Sequence, residues 1–323
     1  MKEKRDNEAE HIEGRLSKNE RIERLLNSLY DFRFNIVKSR TEYRVIHASG
    51  LYQPVTKFAL NSFRRKLDVT AGVATSAENI RMILESDFVS KVHPIREYLT
   101  ALPLLNPAGH GYIKKLLNTV QVANPGKWEE YFTKWLVGVV ANAMNDTGCQ
   151  NHTCLVLTGD KQGQFKTWWL DNLCPSPLKN YLFTGKIEPQ SKDILTLIAE
   201  YLFINIDDQL KELNKQNENA LKNLITTPAV KYRRPYDIYI EEYPHLASFM
   251  ASVIPLNSIQ VKLLNKKHSQ HCELLIFVHL SKKLPMKQIN IVFQLPYKTQ
   301  YLKLYHLYIS FHPVVTYKLQ AIP

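Results

Sequence analysis

Ile22, Leu25, Leu26, Leu29 and Tyr30 recur at intervals of three and four with Glu and Arg between them, which predicts a short amphipathic helix over residues 19–30. The period then drops to two. Phe32, Phe34 and Ile36, followed by Tyr43 and Val45 beyond Lys38-Ser39-Arg40, read as a β-hairpin. Thr75 or Ser76 can cap a helix carrying Ile80, Ile83 and Leu84, with Glu78 completing a capping box from Thr75. Residues 1 to about 105 are therefore expected to form a small mixed α+β region, mainly helical.

Pro103, Pro107, Gly109 and Gly111 mark a linker or loop. Beyond it Trp128, Tyr131, Phe132, Trp135, Leu136, Val139, Val140 and Ala143 form one apolar stripe at helical spacing. Because the stripe runs on into Val and Ala, it reads as a core helix packed on a sheet rather than a base-stacking surface. Next come Cys154-Leu-Val-Leu-Thr158 as a buried strand, a glycine-containing turn and a short helix from about Lys166. Tyr201 to Ile206 form a second strand, ending in Asp207-Asp208, and a helix runs from Gln209 to Ile225. Ile238-Tyr239-Ile240 and Ala247 to Val253 read as further strands. The alternation predicts an α/β fold with a largely parallel sheet over residues 106–253.

The pattern breaks after Val253. Residues 254–323 contain no Gly, Arg, Trp or Asp, although average usage would place about five glycines there. Runs such as Leu274 to Leu280 are strand-like, yet turns lack the residue that most readily adopts positive φ. This segment reads either as an aberrant, frameshifted end or as a divergent extension.

Composition changes the picture only where it is localised. The formal charge is +12, but residues 254–323 hold nine Lys against the single acid Glu273, so basicity is mostly a property of that segment and not a nucleic-acid footprint of the main body. The 45% hydrophobic and 22% charged residues fit a soluble globular protein. The charged start has no apolar run of a signal peptide, and Leu136 to Met144 is too short to cross a bilayer, so a cytoplasmic protein with no membrane partner is expected. Cys149, Cys154, Cys174 and Cys272 form no CxxC pair. Cys149, His152 and Cys154 lack a nearby fourth metal ligand, so reduced structural cysteines are expected.

The chemistry concentrates at strand ends. A phosphate chain is met by backbone N–H groups, the positive end of a helix and a lysine, and Gly159-Asp-Lys-Gln-Gly163-Gln-Phe-Lys166-Thr167 fits that logic. Lys166 would reach the β- and γ-phosphates of ATP and the Thr167 hydroxyl would hold Mg2+. The loop has one residue more than G-x-x-x-x-G-K-[ST], and Phe165 stands where glycine precedes the lysine, so its Cβ works against a positive φ. Asp207 is the candidate metal ligand and Asp208 the candidate for activating water, on a strand expected beside the loop strand; Asp208 could equally be a helix N-cap. Arg233 or Arg234, in Lys231-Tyr-Arg-Arg-Pro-Tyr236, could stabilise γ-phosphate charge, from the same or a neighbouring subunit.

The order of LVLTGDKQGQFKTWWLDNLCP, YLFINIDDQL and KYRRPYDIYIEEYPHLASF resembles the virulence-associated protein E-like family of P-loop proteins, related to superfamily 3 helicases of phage and mobile elements. The similarity is specific over about residues 100 to 253, with YDFRFNIVKSRTEYR and SAENIRMILESDFVSKVHPIREYL a softer match to Bacteroides-type members. The resemblance implies a P-loop NTPase core, ATP hydrolysis coupled to movement on DNA by a homo-oligomeric ring, and the roles above for Lys166, Thr167, Asp207, Asp208 and Arg233 or Arg234. Family members then carry a strand ending in a polar sensor and a Gly-Arg-Arg-Phe-like segment. Here Ala251-Ser-Val253 runs into Ile254-Pro255, so impaired turnover, or a non-catalytic DNA-binding or interaction role, is the alternative expectation.

Overall fold

The computed structural model describes residues 16–48, 50–103, 111–147, 149–159, 163–207, 215–234 and 237–253, and the backbones of strands 275–279, 290–294 and 306–310. The chain divides into two compact units, Met1–Pro94 and Ile95–Pro323. The boundary read from the sequence, near 105, falls within the second unit beside residues 104–110, which lie outside the described residues.

In the first unit, α1 (Lys18–Leu29) starts from Ser17. The Ser17 hydroxyl accepts from the Glu20 amide at 3.2 Å, and the Glu20 carboxylate accepts from the Ser17 amide at 2.7 Å, satisfying two otherwise open donors. The chain runs directly into β1 (Tyr30–Asn35) and returns as antiparallel β2 (Arg40–Val45), the expected hairpin, with Tyr30 opposite Val45 and Asn35 opposite Arg40. Short β3 (Gln53–Pro54) pairs with β2, and after α2 (Lys57–Ala71) and α3 (Ala77–Leu84), β4 (Lys91–Val92) pairs in parallel with β1. Ser76 caps α3, its hydroxyl accepting from the Asn79 amide at 3.0 Å, while Glu78 pairs with Arg81. The capping box from Thr75 therefore does not form, because the helix begins one residue later than that box requires.

Strand alternation divides this sheet into two faces. Tyr30, Phe32 and Tyr43 meet Phe63 of α2 in a ring cluster, joined by Ile22, Leu26, Ile80 and Leu84. Between them, on the strand positions that alternate with these, the buried Glu42 carboxylate accepts from Arg33 at 2.9 Å, Asn35 at 2.9 Å and Arg40 at 3.1 Å.

In the second unit, α4 (Pro94–Ala101) and α5 (Tyr112–Leu117) precede α6 (Pro125–Met144), whose stripe Trp128, Phe132, Trp135, Leu136, Val139, Val140 and Ala143 is buried as its periodicity predicts. Then follow β5 (Cys154–Thr158), α7 (Lys166–Asp171), a 3-10 turn (Ser176–Tyr181), β6 (Leu182–Gly185), α8 (Asp193–Glu200), β7 (Phe203–Asp207), α9 (Lys215–Thr226), β8 (Ala229–Tyr232), β9 (Glu241–Pro244), β10 (Ser248–Val253) and β11 (Leu275–His279). Strands β12 (Asn290–Gln294) and β13 (His306–Ser310) form a separate antiparallel pair.

The main sheet has the order β11-β5-β10-β7-β6 and every pairing in it is parallel. Helix α6 anchors one face: the Trp135 indole donates to the Phe249 carbonyl at 3.2 Å and stacks on Phe203, and Asn142 donates to the Leu246 carbonyl at 3.0 Å. Ile194 and Ile198 of α8 and Leu221 and Ile225 of α9 pack with Ile204, Ile206, Phe249 and Val156 in the other core. The run Leu274 to Leu280 does supply a strand, β11, which aligns Leu275 with Cys154 and His279 with Thr158.

Two expectations are corrected. Ile238-Tyr239-Ile240 is not a strand but an exposed bend between β8 and β9; the hairpin ladder is built from Ala229–Tyr232 and Glu241–Pro244, and an apolar triplet alone does not form a strand without a pairing edge. Nor is β7 next to β5, since β10 lies between them. A parallel sheet needs long crossovers, so strand order is not readable from chain order.

Candidate functional site

The parallel register brings three strand ends to one edge: Thr158 of β5 lies opposite Val253 of β10, and Ser252 of β10 lies opposite Asp207 of β7. Ligand sites in open α/β sheets form outside such carboxyl ends. The connection from β5 to α7 crosses this edge. Gly159 is buried at its start; Asp160, Lys161 and Gln162 lie outside the described residues.

Past Gly163, which has a φ of +76°, Phe165 has φ 60° and ψ 25°. A left-handed conformation costs a residue with a Cβ about 1 kcal/mol, so the chain accepts strain at the position where glycine is expected. The expectation that Phe165 works against positive φ is thus corrected: the surrounding fold imposes it.

Lys166 opens α7 and is only 7% exposed, its Nζ donating to Gln164 Oε1 at 3.3 Å. A lysine is rarely held this deep without an anionic or polar role. The Thr167 and Ser252 hydroxyls are 2.8 Å apart, tying α7 to β10. Asn205, fully buried in β7, donates to Asp171 Oδ1 at 2.7 Å and to the Thr167 carbonyl at 3.5 Å, while Thr184 of β6 donates to the same Asp171 oxygen at 2.6 Å. Three neighbouring strands therefore fix the short helix that carries Lys166 and Thr167.

The acidic pair is placed in part. Asp207 ends β7 one strand from Thr167's partner Ser252, and Asp208 lies outside the described residues. Among the described residues no group of three or more His, Cys, Asp and Glu is placed to hold a metal ion. Burial raises the Cys154 thiol well above its ordinary range and pushes Cys174 up to about 12, so both stay protonated and inert.

The two arginines separate. Arg234 is held within the hairpin, its Nε 3.6 Å from Glu200 Oε1 and its guanidinium 4.1 Å from the centre of the Tyr243 ring. Arg233 is exposed.

Sequence reasoning missed Gln164, Asp171, Asn205 and Ser252. Asn205 could have been noticed as the one polar residue inside Phe203-Ile-Asn-Ile206. Ser252 sets a hydroxyl one residue before the end of β10, and the alternation Ser248, Met250, Ser252 against Phe249, Ala251, Val253 carries its signal.

These features define a class: an α/β unit with a parallel sheet and a strand-to-helix loop that buries a lysine at the carboxyl edge. Residues 107–257 match the model of the virulence-associated protein E-like domain. The match agrees with the motif order read over about residues 100 to 253. Among solved structures the chain is similar to the apo structure of the NrS-1 C terminal region (305-718), with 13% identity over 81% of this chain and a TM-score of 0.47. Two A-form apo structures of the same region show 12% and 13% identity, again over 81% of this chain, with TM-scores of 0.45 and 0.46. The chain spans 61–62% of the length of these structures. It has no match among curated proteins. No helix among the described residues is long and apolar enough to cross a membrane.

Proposed function

We propose that the second unit binds Mg2+-ATP through Gly159, Gly163, Lys166 and Thr167 and hydrolyses it in replication of a phage or mobile element, acting on DNA as a superfamily 3-like motor. The carrying observation is the buried Lys166 beside a Thr167 hydroxyl fixed to Ser252, at the carboxyl edge of a parallel sheet. The virulence-associated protein E-like match supports the same reading.

In this reading Lys166 neutralises phosphate charge, and the loop amides and the start of α7 complete the cradle. Thr167 and Asp207 would hold the magnesium ion, which supplies charge neutralisation on the phosphates. Asp208 orients the attacking water. Arg233, rather than the engaged Arg234, is available to a neighbouring protomer's γ-phosphate in a ring.

Phosphate release with and without single-stranded DNA tests this function. DNA-stimulated release that disappears in Asp208→Asn supports it. DNA retention with no release in any condition selects instead a non-catalytic DNA-binding protein that keeps the fold.

A further inference from the structure

Gln164 lies inside the loop it belongs to. Gly163, at φ +76°, and Phe165, at φ 60°, flank it with two left-handed residues. Its carboxamide lies against Gly159 at the far lip: a Cβ built on Gly159 would overlap Gln164 Oε1 and stand 2.9 Å from its Cδ. The same Oε1 accepts from Lys166 Nζ at 3.3 Å. The Gln164 carboxamide thus meets both Gly159 and the Lys166 ammonium group, and its contact with the lysine is of the kind a phosphate oxygen would make.

We propose that the Gln164 carboxamide is a displaceable plug of the phosphate cradle, holding Lys166 and covering Gly159 until a nucleotide phosphate takes its place. This rests on reading the loop as a nucleotide site and adds a regulatory element to it. The loop is one residue longer than the standard spacing. A neutral amide suits the task. It engages the ammonium group weakly enough to leave and carries no charge to repel an incoming anion. The plugged state lowers apparent affinity by the fraction of molecules that are open.

The test is an equilibrium titration of the full chain with a fluorescent ATP analogue in magnesium buffer. Gln164→Ala is expected to tighten binding roughly fivefold, the weight of one modest hydrogen bond. Gln164→Glu, which sets a carboxylate on Lys166 and against the phosphates, is expected to weaken it by at least about tenfold. Gln164→Ser, equally unable to reach Gly159, should behave as Gln164→Ala, and matching melting curves establish that each variant folds. Weaker binding by Gln164→Ala would make the carboxamide a ligand contact and overturn the plug. Equal binding by wild type and Gln164→Ala, with loss in Lys166→Ala, overturns the plug and leaves the site standing. No binding by wild type or Gln164→Ala overturns both.

Discussion

Asn205→Asp replaces the carboxamide that donates to Asp171 with a carboxyl of the same shape, fully buried and 2.7 Å from another carboxylate oxygen. If both groups stayed ionised, two charges at that separation would repel by about 6 kcal/mol at an effective dielectric of about 20. Taking up a proton instead costs about 4 kcal/mol at pH 7, from an ordinary aspartate value near 3.9. Proton uptake is the cheaper route, and the protonated carboxyl can still donate to Asp171. The folded variant then holds one proton that the unfolded chain releases, so the stability gap to wild type narrows as pH falls. It should shrink from about 4 kcal/mol at pH 7 to about 1.5 kcal/mol at pH 5, the slope of one proton. All four tryptophans fall between residues 128 and 169, so fluorescence during urea unfolding reports the second unit alone. Unchanged m-values with midpoints converging toward low pH are expected. A gap that stays constant from pH 7 to pH 5 would refute the Asn205–Asp171 bond and, with it, the anchoring of α7 to β7.

Thr167→Val should cost about 1 kcal/mol through loss of the hydroxyl pair with Ser252 and should remove the magnesium dependence of ATP-analogue binding, read by titration with and without the ion. Trp135→Ala removes a side chain 1% exposed, with its bond to the Phe249 carbonyl, and is expected to cost about 3–5 kcal/mol by urea unfolding. Burial holds the His245 imidazole below its ordinary 6.5, outweighing hydrogen bonds to the Thr227 and Ala247 backbone. Below pH 6.5 the unfolded chain therefore takes up the proton first, and stability falls as pH drops toward the folded value by up to about 1.4 kcal/mol per unit. His245→Asn should flatten that part of the curve, and parallel curves would exclude His245 as its source.

Long periodic segments were legible because one surface decides them. The α6 stripe from Trp128 to Ala143 and the Phe32/Phe34–Tyr43/Val45 hairpin both follow from spacing. The strand-to-helix connection was legible too, with a strand ending at Thr158 and a helix opening at Lys166. What could not be read was set by pairing between distant segments. Strand β10 inserts between β5 and β7, which brings Ser252 to Thr167 across 85 residues of sequence, and no local pattern encodes that meeting. Ile238-Tyr239-Ile240 failed for the opposite reason: its local pattern is strong, but the ladder closes on Glu241–Pro244 instead. Phe165 shows a third limit, because tertiary context can hold a residue at a positive φ that its own preference opposes.

Retention of labelled ATP by the full chain, compared with Lys166→Ala at matched concentrations, tests the nucleotide site most directly. Lys166 is buried at the carboxyl edge of the sheet, and its truncation should weaken retention by at least about tenfold with the fold intact by fluorescence. Equal retention by the two proteins would contradict the assignment of the Gly159–Thr167 loop as a phosphate cradle.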